Sequence, residues 1–173
     1  MAVAVGRWIG APPFAQLRFD WGALAWGIAA TGPLLLGLWC CLRTRWRPVA
    51  RLVAVVEERV APLFAGATLA ELALIGLLAG VGEEGFFRGV VQAGLAERLP
   101  AWLALVAAAA IFGAAHWLTT PYAVLAGIVG LYLGGLFLVS GNLLAPIVTH
   151  ALYDLVALSI LIRMKPVSPQ PVV

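Results

Sequence analysis

The chain has 173 residues, of which 63% are hydrophobic and 11% are charged, and its net charge at pH 7 is +3. Soluble domains are about 45–50% apolar and about 25% charged. This composition therefore excludes a disordered chain, an ordinary water-soluble enzyme and a nucleic-acid-binding module with a basic surface. We expect an integral, multi-pass membrane protein whose surroundings are the lipid bilayer, in the inner or plasma membrane if its source is prokaryotic.

The apolar segments predict an all-α fold, a polytopic bundle of transmembrane helices that forms a single membrane domain over residues 1–173. A membrane helix needs about 20 apolar residues. The long uncharged stretch before Asp154 exceeds this length and is divided by turn-forming residues at 119–121 and at 140–142. We therefore expect five spans, near 21–42, 69–94, 101–118, 122–139 and 143–162.

An arginine-rich connection over 44–62 separates the first two predicted spans and predicts a short interfacial helix at 52–60. Clustered arginines in a short loop are typical of the cytoplasmic side of a membrane, so we expect the N-terminus to lie outside. The basic residues on the inside would be Arg43, Arg45, Arg47, Arg51, Arg59, Arg163 and Lys165. Those on the outside would be Arg7, Arg18 and Arg98.

Polar side chains that can carry charge lie within segments that are otherwise apolar. They are Glu83, Glu84, Arg88, His116, His150 and Asp154. Each charged group at a helix centre costs about 2.5–3.5 kcal/mol on an insertion scale. Any one of them could have a structural role, because a membrane histidine often serves only as a hydrogen-bond donor between helices. Together they predict a functional site, since a purely structural bundle has no reason to carry this cost.

Helical geometry gives the members of this set different roles. Glu84 and Arg88 are four residues apart, share a helix face and can form an ion pair. Glu83 is rotated by about 100° from Glu84, so it stays available as a base. The same spacing of four separates two further pairs, Phe112 with His116 and His150 with Asp154.

Such a set suits hydrolysis in one of two ways. A carboxylate beside an imidazole can activate a water molecule, while a second histidine with a polar neighbour stabilises an oxyanion. Alternatively, two histidines and a carboxylate form a catalytic zinc site that leaves one position for water. The zinc ligands would then be Glu83, His116 and His150.

Three motifs in this order resemble those of the CAAX-protease and bacteriocin-processing family of intramembrane endopeptidases, also called the Abi family. The segment 83–88 (EEGFFR) matches its EExxxR motif, 112–116 (FGAAH) matches FxxxH, and 150–154 (HALYD) matches HxxxN/D. The resemblance covers about residues 69–158. It implies an α-helical membrane protease that cleaves peptide bonds near the bilayer. In eukaryotic members the substrate is a prenylated C-terminal CAAX tail, so the resemblance extends by analogy to a lipidated peptide or protein substrate.

The resemblance also implies residue roles. Glu83 would be the general base, and His116 would be its partner on the attacking water. His150 and Asp154 would stabilise the oxyanion or bind a metal. The supporting residues would be Glu84, Arg88 and Phe112.

One position departs from the commonest form of the family, because Asp154 stands where many members have asparagine. An ionised aspartate cannot donate a hydrogen bond to an oxyanion, so Asp154 would be protonated, orient His150 or ligate a metal. The predicted spans also place His116 nearer the cytoplasmic end than Glu83, so a kink or tilt is needed to bring the two together.

Two functions from other classes stay open. The first is a non-catalytic relative that protects or scaffolds a peptide, although a scaffold need not retain a base such as Glu83. The second is a proton or ion carrier that uses the buried acids without cleaving a substrate.

Overall fold

The structure, a computed structural model, describes Gly6 and residues 10–163. Throughout these residues the regular structure is helical, with no strand, which confirms the all-α fold class. The α-helices are α1 (Trp21–Arg43), α2 (Arg47–Arg59), α3 (Leu69–Phe86), α4 (Ala93–Ala96), α5 (Ala101–Ala115), α6 (Thr120–Ser140) and α7 (Leu144–Leu161). A 3₁₀ helix (Ala61–Phe64) follows α2, and a π-helix (Phe87–Gln92) joins α3 to α4. Arg7 and Lys165 lie outside the described residues.

Local sequence signals account for several helix ends. The Asp20 carboxylate accepts hydrogen bonds from the backbone N–H groups that open α1, which satisfies donors that the helix itself leaves unpaired. Thr68 and Glu71 form a capping box at the start of α3. Thr119 caps α6 in the same way as Asp20 caps α1. At the other end of α6, Gly141 takes a left-handed conformation with φ of 59°, which a residue without a Cβ adopts at little cost.

The centre of the bundle is α7, which packs against both α3 and α1, while α5 packs against α6. Glycines allow these close contacts. A Cβ on Gly80 of α3 would lie 2.9 Å from the carbonyl oxygen of Ile147, and one on Gly27 of α1 would lie 2.7 Å from that of Ala145. The Thr149 hydroxyl adds a buried hydrogen bond of 2.9 Å to the Gly27 carbonyl. Hence α7 presents its side chains to two neighbouring helices at close range.

Three predicted segments differ from the observed helices. The segment 69–94 is not one continuous α-helix, because its backbone widens into a π-helix at Phe87–Gln92. The segment 101–118 ends early at Ala115, since His116 leaves the helical conformation. The interfacial helix predicted at 52–60 begins at Arg47, where Pro48 stands in the first turn and proline favours a helix start.

Three helices of the described chain are long and apolar enough to cross a membrane, namely α1, α6 and α7. Helix α3 carries Glu71, Glu83 and Glu84, and α5 has only 15 residues. The structure therefore confirms a bundle of apolar membrane-spanning helices. The number of five spans and the orientation of the chain stay predictions.

Candidate active site

A buried ion pair between Glu84 and Arg88 forms the core of the candidate site. Arg88 Nη1 donates a hydrogen bond of 2.9 Å to Glu84 Oε1, and Arg88 Nη2 donates one of 2.9 Å to the carbonyl oxygen of Gly130 on α6. Glu84 is 0% exposed and Arg88 is 1% exposed. The predicted pair is therefore present, and it also connects the α3 region to α6.

His150 on α7 extends this buried group. Its Nδ1 lies 2.7 Å from Glu84 Oε1, the same oxygen that accepts from Arg88. Because a carboxylate only accepts hydrogen bonds, Nδ1 carries the hydrogen. The other ring nitrogen, Nε2, lies 3.5 Å from Asp154 Oδ2. Two carboxylates thus hold the imidazole of His150 from opposite sides.

Glu83 and His116 form a second pair, which is more open than the first. Glu83 Oε2 lies 3.3 Å from His116 Nε2, and the side chains are 34% and 28% exposed, respectively. His116 Nδ1 lies 2.8 Å from the carbonyl oxygen of Phe112 and donates its hydrogen there. This bond turns Nε2 of His116 toward Glu83.

The ring of Phe112 lies between the two pairs. It stacks on the His116 ring with centroids 4.3 Å apart and meets the His150 ring edge to face at 6.5 Å. The Arg88 guanidinium carbon lies 4.8 Å from the centroid of the same ring, a geometry in which a cation is attracted to the aromatic face. Phe112 therefore sets the positions of side chains from both pairs.

All six polar residues singled out in the sequence come together at one site. Glu83 and His116 meet although the predicted spans place them at different heights, and His116 directly follows the last residue of α5, Ala115. The kink or tilt expected to bring them together stays a prediction. The catalytic roles themselves stay predictions.

Gln92 is a buried residue of this region that the sequence reasoning missed. Its Nε2 donates a hydrogen bond of 3.1 Å to the Gly134 carbonyl oxygen, one helical turn beyond the Gly130 carbonyl that binds Arg88. Gln92 follows Arg88 by four residues within an apolar stretch. The same spacing argument that identified the Glu84–Arg88 pair would have found it.

The zinc alternative requires three side chains placed around one metal position. In the part of the chain that the structure describes, no group of three His, Cys, Asp or Glu side chains is placed to hold a metal ion. Both nitrogens of His150 face carboxylates, and His116 contacts Glu83 through the one nitrogen that Phe112 leaves available. These side chains do not fit a centre with three protein ligands as they are arranged.

An apolar cavity of ≈ 420 Å³ adjoins the buried group. Side chains from α1, α2, α6 and α7 line it, and Asp154 forms part of its wall. Tyr122 and Tyr153 contribute the neighbouring aromatic surface. The Asp154 carboxylate therefore contacts His150 of the polar site and also forms part of the wall of the apolar cavity, which suits an apolar group.

These features define a class of helical membrane protein that gathers acidic and basic side chains at one site within its bundle. A family model described as Type II CAAX prenyl endopeptidase Rce1-like matches residues 65–156. The match spans all three sequence motifs and more than half of the chain, so the chain belongs to this family, and the resemblance found in the sequence is confirmed. Protease family membership and a place in the membrane follow from it. Comparison with curated proteins and with solved structures found no match.

Proposed function

We propose that the protein is a multi-pass intramembrane endopeptidase in which Glu83 and His116 activate the attacking water. The observation that carries this proposal is the 3.3 Å contact between Glu83 Oε2 and His116 Nε2. Both side chains are partly exposed, unlike the buried Glu84–Arg88 pair beside them. A general base must be able to reach the water from which it takes a proton, and Glu83 meets this requirement better than Glu84.

The proposed reaction begins with attack of the water oxygen on the carbonyl carbon of the scissile peptide bond. Glu83 accepts the proton that the water loses and later transfers it to the departing amine nitrogen. His116 orients the water and Glu83, because its bond to the Phe112 carbonyl fixes the direction of Nε2. The products are a carboxylate and an amine, so the bond that breaks is the C–N bond.

The developing oxyanion requires a hydrogen-bond donor, and we assign this role to His150. Glu84 binds its Nδ1–H at 2.7 Å, and Asp154 lies 3.5 Å from Nε2. In this assignment Nε2 carries a hydrogen, which the Asp154 carboxylate and the oxyanion can share as acceptors. Among the three roles that its replacement of asparagine leaves open, we assign Asp154 the role of orienting His150.

The substrate we propose is a peptide or protein that carries an apolar or lipid group near the cleaved bond. The apolar cavity of ≈ 420 Å³ supports this, because Asp154 lies in its wall and contacts His150. An apolar group seated in this cavity would place the adjoining peptide next to the polar site.

The test is cleavage of a library of lipidated, internally quenched peptides by the protein reconstituted in liposomes, with and without a chelator. We expect cleavage by the wild type that survives chelation, and loss of cleavage in Glu83→Gln. The matched control is Glu97→Gln, an exposed glutamate outside the site, which should cleave like the wild type.

Other results would contradict the proposal in distinct ways. Stoichiometric zinc, with activity lost to the chelator and restored by the metal, would replace the direct glutamate mechanism with the zinc alternative. Cleavage by Glu83→Gln at the wild-type rate would show that Glu83 is not the general base. The third result is a flux of protons or ions across the liposome membrane, without any peptide cleavage. If Glu83→Gln abolished this flux, the protein would be a proton or ion carrier.

A further inference from the structure

A cluster of positive charge lies at the end of α1 and the beginning of α2. It consists of Arg43, Arg45, Arg47 and Arg51, which we call the arginine segment. All members of this segment are exposed. None of the ion pairs within residues 10–163 includes any of them. The charge of this segment is thus available to a partner outside the described part of the chain.

Helix α2 has two different faces. Leu52, Val53 and Val56 point into the apolar cavity and line it. Arg47 and Arg51 are one turn apart on the opposite, exposed side. No residue of α2 is fully buried, so its packing on the rest of the protein is shallow. An amphipathic helix of this kind, with arginines on its polar face, is typical of a membrane surface.

Tryptophans indicate where the bilayer surface lies. Trp46 adjoins the arginine segment and is 67% exposed. The Arg43 guanidinium lies 5.6 Å from the ring centroid of Trp39, which is exposed near the end of α1. Tryptophan is enriched at the level of lipid headgroups. We therefore expect the arginine segment to lie at the height where phosphate groups of lipids are found.

We propose that the arginine segment binds anionic phospholipid headgroups and thereby holds α2 over the apolar cavity beside Asp154. The charges are complementary, and basic clusters directly next to a transmembrane helix attract anionic lipids. Because α2 has little buried contact of its own, the headgroups supply the attachment that its packing lacks. This inference concerns the binding of lipid and the position of α2 over the cavity. Neither depends on the proposed function; only a role of α2 in controlling access of substrate would rest on it.

Binding is tested by native mass spectrometry of the delipidated full chain, titrated with dioleoyl phosphatidylglycerol or dioleoyl phosphatidylcholine. An arginine near an anionic surface contributes roughly fivefold to affinity. We expect Arg47→Gln/Arg51→Gln to weaken phosphatidylglycerol binding by about 25-fold and to leave phosphatidylcholine binding unchanged. The matched control is Arg18→Gln/Arg98→Gln, which removes two exposed arginines elsewhere. An equal loss in the control, or no loss in the α2 variant, would overturn the proposal.

A second variant keeps the test valid if the first one fails to fold. Glu57→Gln/Glu58→Gln removes two negative charges from the C-terminal part of α2 and should tighten phosphatidylglycerol binding by up to about 25-fold, which is about fivefold per charge. Raising the salt concentration should remove this gain, because exposed charges are screened. Unchanged or weaker binding would contradict the role assigned to α2.

Whether α2 covers the cavity can be measured separately by labelling a cysteine. The chain has two cysteines, Cys40 and Cys41. Cys41 lines the cavity, so in the Cys40→Ser background a single thiol reports on access to it. We expect N-ethylmaleimide to label Cys41 several-fold more slowly in phosphatidylglycerol liposomes than in phosphatidylcholine liposomes. Arg47→Gln/Arg51→Gln should abolish this difference. Equal labelling rates in the two lipids would refute the cover, whether or not the protein cleaves peptides.

Discussion

Two adjacent glutamates of α3 have very different surroundings. Glu84 is fully buried, and one of its oxygens accepts from both Arg88 and His150. Glu83 is about one-third exposed, and within residues 10–163 its one ion-pair contact is with His116. A buried charge that loses its partner is costly, whereas a partly exposed carboxylate can exchange protons with water. The comparison indicates that Glu84 holds the site together and that Glu83 is the residue free to react.

The strongest way to test this comparison is to remove the carboxylate of Glu83. We expect Glu83→Ala to lower the cleavage rate by about 10²–10⁴-fold, the range typical of a lost general base. The amount of folded protein should stay close to wild type, because the side chain is partly exposed. Peptide cleavage and size-exclusion chromatography measure the two effects. Turnover at the wild-type rate would show that the base is another residue.

The opposite pattern is expected when the buried pair is broken. Arg88→Ala leaves Glu84 without its main cationic partner, and breaking a buried ion pair costs about 3–5 kcal/mol. The yield of folded protein and its thermal stability in detergent should both fall. The matched control is Arg98→Ala, since Arg98 is exposed. A stable Arg88→Ala protein that is merely inactive would assign Arg88 a role in the chemistry.

A smaller effect is expected at Gln92. Gln92→Ala removes the hydrogen bond to the Gly134 carbonyl, and a typical hydrogen bond contributes about 0.5–1.5 kcal/mol net. The midpoint of thermal unfolding should therefore drop modestly. Gln16→Ala, at an exposed glutamine, should leave the midpoint unchanged. A loss as large as that of Arg88→Ala would mean that Gln92 is part of the buried charge network.

The smallest effect is expected at Asp154. Its side chain is 26% exposed and lies 3.5 Å from His150 Nε2, and exposed ion pairs contribute about 0–1 kcal/mol. Asp154→Asn keeps an oxygen that can accept from His150 and should change the cleavage rate by no more than about fivefold. A loss of a hundredfold in kcat would show that the negative charge of Asp154 is essential.

The sequence predicted the Glu84–Arg88 pair well because two residues four apart on a helix are neighbours whatever surrounds them. The three motifs predicted which residues gather at the site. By contrast, the hydrogen bond between Glu84 and His150 joins α3 to α7. Residue spacing within one helix does not predict how two helices are aligned along their axes. The π-helix at Phe87–Gln92 was missed as well. It contains Arg88 and Gln92, which both bind carbonyls of α6, and these contacts between distant segments are not visible in a local pattern.

The short α5 has a consequence for the bilayer itself. Exposed tryptophans stand near its two ends, Trp102 at 65% and Trp117 at 64%. A helix of 15 residues spans about 22 Å, whereas a hydrocarbon core is about 30 Å thick. If α5 is one of the predicted spans and both indoles lie at headgroup level, the lipid beside α5 would be thinned by about 8 Å. Such hydrophobic mismatch would shorten the path of water from the surface to His116, so lipids with longer acyl chains would oppose hydration of the site.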